Sequence, residues 1–204
     1  LENKATSITL SSLQELAQRQ INLVICDDKN LPHASLTPMS QHSRSLDMLE
    51  LQTSVKKPLK KSLWTRICQQ KILNQASILD SKQKAKAASK LKQILSRVRS
   101  GDPTNQEAVA AGIYFKAIWP VPRRTPHQLN SLVNYGYALV RSSLARYCAG
   151  FGLAPALGIH HHASLNPFNL ADDLLEPFRP AIDSLAIQYF EENAANSNEL
   201  DSHA

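Results

Sequence analysis

Cysteine is scarce in this chain of 204 residues, and Cys26, Cys68 and Cys148 stand far apart with no C-x-x-C spacing. That pattern argues against a zinc knuckle and a disulfide scaffold, and for a reducing compartment. Each cysteine has apolar neighbours, so all three read as buried structural thiols. No apolar run approaches the roughly 18 to 20 residues that a bilayer-spanning helix needs. The opening residues lack the charged, then apolar, then small-residue order of a secretory leader. The chain begins with Leu1 rather than Met, and residues 1–10 read as the interior of something longer, so a trimmed piece is expected. Internal repeats and low-complexity tracts are missing. The length suits one domain, or a large domain with a smaller attachment, and not two equal units.

Acids are nearly absent from one long stretch. Lys56 to Arg99 holds thirteen Lys or Arg against one acid, Asp80, whereas Ala171 to the end holds eight acids against one base, Arg179. The formal net charge of +6 conceals this division. Lysine-rich helix faces are ordinarily just solvated, but glutamates usually interleave with the lysines. Without them, the uncompensated cationic stripe fits a polyanion, most often nucleic acid.

Along the chain, Ser11 to Glu15 has the capping-box form in two overlapping registers and predicts a short helix. Ile21 to Cys26 is a short apolar, β-branched run that stops at Asp27-Asp28-Lys29-Asn30, which predicts a buried strand and a turn. Pro32, Pro38, Pro58 and the polar stretch Ser40 to Arg44 mark a loose connection. Beyond it the pattern is helical, with Leu63, Ile67, Ile72 and Leu79 on one face and Leu91, Ile94, Leu95 and Val98 on another. Gly101-Asp102-Pro103 predicts a stop and a new start, with Asp as cap and Pro in the first turn. That next helix carries Glu107 among Ala108, Ala110, Ala111 and Gly112, and ends at Pro120, Pro122 and Pro126 around Arg123 and Arg124. Asn130 is expected to open a third long helix, Leu132 through Cys148, closed by Gly150 and Gly152. The fold class is α+β, mainly α: residues 1–36 as the remnant of an amino-terminal β-rich domain, 37–57 as linker and 58–204 as a helical domain.

The densest chemistry lies in Gly158-Ile159-His160-His161-His162 and in Leu170 to Pro180. On a helix, Asp173 and Glu176 share a face and Asp172 points about 100° away. Pro177 cannot donate to the carbonyl of Asp173, so a kink or a freed oxygen is expected there. Taken alone, the acids read as helix-dipole partners, with Glu176 paired to Arg179. Glu107 changes the balance, because a lone carboxylate on an alanine-rich face is costly unless neutralised. If its helix packs on the later segments, two carboxylates and an imidazole converge, an oxygen and nitrogen set that suits Mn²⁺ or Mg²⁺.

The segments Gly101–Ala108, Leu132–Leu139, Gly158–His161 and Asp173–Pro180 occur in the order found in the Cas1 family of CRISPR adaptation integrases, and the chain resembles that family from about residue 8 to residue 190. Cys26–Pro32 and Ala171-Asp172-Asp173 resemble its type II branch. The resemblance implies a metal-dependent DNA endonuclease and integrase that inserts spacer DNA into the CRISPR array by 3′-hydroxyl attack. It maps the Mg²⁺ or Mn²⁺ ligands, which are also the catalytic residues, onto Glu107, His161 and Glu176. His160 and His162 become flanking loop residues, and Asp173 matches a position that is acidic in some relatives, with a supporting or second-metal role. Arg123 and Arg124 are candidate DNA contacts. Implied partners are double-stranded DNA (spacer precursor and repeat), a Cas2 dimer and a second copy of the chain, in the cytoplasm of a prokaryote. Two rivals remain: a helical nucleic-acid-binding module without catalysis, and a metallohydrolase of small phosphoesters.

Overall fold

The computed structural model describes residues 5–21, 23–26, 32–36, 38, 45–123 and 125–201. The turn expected at Asp27 to Asn30, the stretch Ser40 to Arg44, and Arg124 lie outside those residues. The chain runs through α1 (Leu10–Gln18), β1 (Leu23–Cys26), β2 (Pro32–Leu36), α2 (Ser45–Ser54), α3 (Lys57–Ser81), α4 (Ala85–Leu95), α5 (Gln106–Ile118), α6 (Gln128–Gly150), α7 (Asn169–Leu175), a 3₁₀ turn (Glu176–Phe178) and α8 (Arg179–Asp201). It is mainly helical, as expected. The strands form one antiparallel pair, with Leu23 opposite Leu36 and Ile25 opposite Ala34.

Helix α1 begins one turn earlier than the serine pair suggests, because Thr9 is the cap: its Oγ1 accepts from the Ser12 amide at 3.1 Å. The stretch 37–57, expected as a linker, includes α2, and Gln52 on that helix is bonded to a distant loop. Its Nε2 donates to the carbonyls of Ala154 and Leu157, and its Oε1 accepts from the Ala154 amide.

Helix α3 starts with Pro58 in its first turn, where a missing N–H costs nothing. Its buried face is Trp64, Cys68, Lys71, Ile72, Gln75, Ala76 and Leu79, spaced three and four residues apart as an amphipathic helix requires. The face is rotated from the expected stripe: Leu63 and Ile67 are only half-buried, and Trp64 and Cys68 take the centre. After Gln83, which adopts a left-handed φ of 58°, the chain doubles back so that Ala88, Leu91, Ile94 and then Val98 pack on α3. Ala110 and Tyr114 of α5 complete this cluster. A second cluster joins Trp119, Leu129, Val133 and Tyr137 to Leu175, Ala186 and Ile187, and Phe115 and Ile118 touch both. Gly136 lets α8 approach α6, since a Cβ there would lie 2.7 Å from Ile182 Cγ2.

Two helix starts differ from expectation. Asp102 does cap α5, but from outside: its carboxylate accepts from the amides of Gln106 and Glu107, both at 2.9 Å, so Pro103 sits in the turn rather than at the first helical position. Helix α6 opens at Gln128 with His127 Nδ1 accepting from the Leu129 amide. Asn130 is instead buried and gathers the proline loop, accepting from Trp119 Nε1 and Arg123 Nη1 and donating to the carbonyls of Pro122 and Thr125. Cys68 and Cys148 are buried as expected, whereas Cys26 is only half-buried. Burial pushes the Cys68 thiol up to about 12, which removes it as a nucleophile.

Candidate functional site

A cleft of about 470 Å³ opens between α3, α5, α6 and the 3₁₀ turn, and Glu107, His161 and Glu176 all line it. Each reaches it through a local device. Glu107 stands in the first turn of α5, where the carboxylate of Asp102 holds its own amide. Glu176 is placed by Pro177, which cannot continue the α7 hydrogen-bond ladder. The helix tightens there to a 3₁₀ turn, and Asn74 Nδ2 takes up the Pro177 carbonyl at 2.7 Å.

His161 is placed by Asp173, whose carboxylate is fully buried. One oxygen accepts from the amides of Ile159 and His160 at 2.6 and 3.0 Å; the other accepts from the amide of His161 at 3.1 Å and meets its ring Nδ1 at 2.7 Å. Burial alone would raise this carboxyl, but the His161 ring and the three amides outweigh it and hold Asp173 below the usual carboxylate range. An ionised carboxylate only accepts, so Nδ1 carries the proton and Nε2 of the neutral ring keeps its lone pair. The same bond raises the pKa of His161. Gly158 permits the loop, since a Cβ there would lie 2.2 Å from the His161 carbonyl oxygen and 3.0 Å from Asp173. His160 stacks on Trp64 with centroids 4.0 Å apart and rings nearly parallel. Burial and the adjacent His161 lower its pKa. His162 is exposed.

Between the two glutamates stands Lys71, 7% exposed, whose Nζ donates to Glu107 Oε1 and to Glu176 Oε2. Arg179 Nε donates to the other oxygen of Glu176 at 2.8 Å, the pairing expected from spacing. Burial disfavours the Glu176 charge, but Lys71 and Arg179 together hold its pKa low. Lys71 in turn is held above its ordinary value by Glu176 and Glu107, against the effect of burial. Of the thirteen cations between Lys56 and Arg99, ten are exposed and Lys60 and Lys82 half-buried; only Lys71 leaves the stripe for the interior. Its signal in the sequence is position: it falls three residues after Cys68 and next to Ile72, on the apolar face. Asp172 lies apart, clamped by Arg141 through Nε at 2.6 Å and Nη2 at 3.0 Å.

Deeper in the cleft, Asp183 accepts from Tyr137 OH, a pair that spacing did not reveal. Burial pushes Asp183 up to about 6 from an ordinary 3.8. Between those values the folded chain holds a proton that the unfolded chain has released. Its contribution to stability therefore falls as pH rises through the window and stays low above it. Asp183→Asn still accepts from Tyr137 and is expected to flatten that slope, which urea titrations across about pH 4 to 7 check. A slope that persists in the variant belongs to another group.

Among the described residues, no three His, Cys, Asp or Glu side chains are gathered tightly enough to hold an ion as they stand. Two of the expected three share an ammonium instead. The donor chemistry nevertheless fits a hard divalent ion: two carboxylates already converge on one cation-sized position, and an imidazole whose Nδ1 is fixed by a carboxylate has Nε2 to offer in the same cleft.

A CRISPR-associated endonuclease Cas1 from Neisseria meningitidis serogroup C (strain 8013) is 43% identical to the chain over 194 residues, covering 94% of this chain and 64% of the relative. The chain thus spans just under two thirds of that protein. Among solved structures, a casposase bound to integration product aligns with a TM-score of 0.73 at 21% identity, over 92% of this chain and 58% of the other. A Cas6-RT-Cas1–Cas2 complex aligns at 0.71 and 21% identity, over 90% and 23%. These two alignments establish a shared fold. The family described as CRISPR associated protein Cas1 matches residues 3–204, nearly the whole sequence, and this chain belongs to that family.

Proposed function

We propose that the chain is the catalytic portion of a metal-dependent DNA endonuclease and integrase of CRISPR adaptation, joining spacer DNA to the array by 3′-hydroxyl attack on phosphodiesters. The observation that carries this reading is the convergence of Glu107 and Glu176 on one cation in a cleft that His161 also lines. The endonuclease name of the Neisseria relative and the integration product held by the casposase support it. Glu107, His161 and Glu176 would hold Mg²⁺ or Mn²⁺. When bound, such an ion offsets charge building on phosphorus and polarises the attacking oxygen. Asp173 holds Nδ1 of the His161 ring and so leaves Nε2 as the nitrogen that would bind the ion, and Arg179 keeps Glu176 ionised and in place. The exposed lysines of α3 and α4 provide the sequence-independent grip on phosphate that a DNA substrate needs. Arg123, drawn over the Trp119 ring at 4.9 Å, stands at the cleft as a further phosphate contact.

The partners of this reading are double-stranded DNA, a Cas2 dimer, in line with the complex that shares the fold, and a second copy of the chain. Residues 1–36 would belong to an amino-terminal β-rich domain and 58–204 to the catalytic one, acting in the prokaryotic cytoplasm. Among the described residues no helix is long and apolar enough to cross a membrane.

Calorimetry is expected to show Mn²⁺ binding to the chain and none to the Glu107→Ala, Glu176→Ala double variant. Unchanged binding in that variant would remove the ligand assignment. Affinity for duplex DNA is expected to fall by about 10³-fold or more between 50 and 200 mM salt if some six phosphates are neutralised. The cationic stripe alone favours the second reading, a nucleic-acid-binding helical module. Salt-steep DNA binding together with no Mn²⁺ binding would select it. Turnover of a chromogenic phosphomonoester with affinity insensitive to salt would select a small-phosphoester hydrolase instead.

A further inference from the structure

Lys71 and Gln75 are one helical turn apart on the buried face of α3, and both line the cleft. We propose that Lys71 is the resident counter-ion of the Glu107–Glu176 pair, and that the incoming divalent ion displaces its ammonium onto the side-chain oxygen of Gln75. The proposal rests on the metal-dependent reading above.

Two carboxylates that share one ammonium repel each other, and neither is well placed to turn to water: the Glu107 side chain is 20% exposed and that of Glu176 9%. With no cation between them the folded chain would carry an uncompensated charge pair. An ammonium is a donor only, so it cannot join a metal shell. It competes for the same oxygen lone pairs, and one of the two cations must leave. The flexible four-carbon stem of lysine lets the head move while the stem stays packed. Gln75 gives it a destination. The side chain is 1% exposed, and its Oε1 has no hydrogen-bond partner. Such orphaned oxygens are rare inside proteins and ask for an explanation. Among the described residues the other such oxygen is the hydroxyl of Tyr114, which interacts with Asp183. Arg179 holds the second oxygen of Glu176 throughout, so that acid keeps a partner on both sides of the exchange.

The two residues therefore have opposite signatures. Lys71→Met is expected to lower the melting temperature without added metal and to tighten Mn²⁺ binding about tenfold, because no ammonium must leave. Gln75→Leu is expected to leave the metal-free melting temperature unchanged or raised and to weaken Mn²⁺ binding about tenfold, because the displaced charge has lost its acceptor. A purely structural role for Gln75 would lower the melting temperature and leave the Mn²⁺ affinity unchanged. Calorimetry and melting with Mn²⁺ alone read both. Mn²⁺ affinity unchanged or weaker in a folded Lys71→Met, while the parent chain binds Mn²⁺ through Glu107, overturns the proposal and leaves the metal reading standing. Binding in neither protein overturns the metal reading and this proposal with it. If Lys71→Met folds only when Mn²⁺ is present, the ion has taken the place of the ammonium and the proposal stands. If it folds in neither condition, Gln75→Leu decides: weaker Mn²⁺ binding at undiminished stability sustains the exchange, and unchanged binding refutes it.

Discussion

Glu176→Gln is expected to lower DNA strand breakage and joining by about 10³-fold, the loss that follows when roughly 4 kcal/mol of charge stabilisation at phosphorus disappears. The amide has the shape of the acid and still offers one oxygen to Arg179, so the 3₁₀ turn should survive. What it removes is the negative charge that Lys71 and Arg179 maintain in the native chain. Melting curves establish that the variant is folded, and nicking and joining of an end-labelled duplex in Mn²⁺ measure the loss. Activity within tenfold of the parent would take Glu176 out of the reaction.

The second large effect falls on stability. Asp173→Ala deprives three backbone amides and the His161 ring of their common acceptor in a fully buried position. Removing one partner from a buried charged network costs about 3 to 5 kcal/mol. In a chain of this size that corresponds to a fall of about 10 °C in melting temperature. Asp173→Asn should lie between, since one oxygen remains but an NH₂ group now faces donors. Gly158→Ala attacks the same loop from its other side, through the His161 carbonyl. A melting temperature for Asp173→Ala within about 2 °C of the parent would show that the loop holds its form without the carboxylate.

Much of this arrangement could be read from residue order. Glu107 stood out because a single acid on an alanine-rich face has to be neutralised by something distant, and the cleft brings it to Glu176 and to the His161 loop. Pro177 announced a break in the helix, and the break is there. Lys71 is hidden for the opposite reason. Among thirteen cations it has the pattern of one more surface charge, and only its register against Trp64, Cys68 and Ile72 betrays its burial. Gln75 shares that register and that concealment. Asp183 and Tyr137 lie on separate helices, α8 and α6, and no spacing rule links residues so far apart in the chain. Asp173 could be matched to a family position, but its hold on three consecutive amides depends on the path of a loop, which periodicity does not describe.

Gln52 joins an early helix to a late loop. Both ends of its amide group are taken by the segment that leads into Gly158 and the histidines. Lifting α2 away breaks three hydrogen bonds at once, each worth on the order of 1 kcal/mol, and slackens the support from which the imidazole hangs. Helix α2 is thereby a tether on the loop that carries His161, and a pull on that helix is expected to reach the imidazole through Gln52.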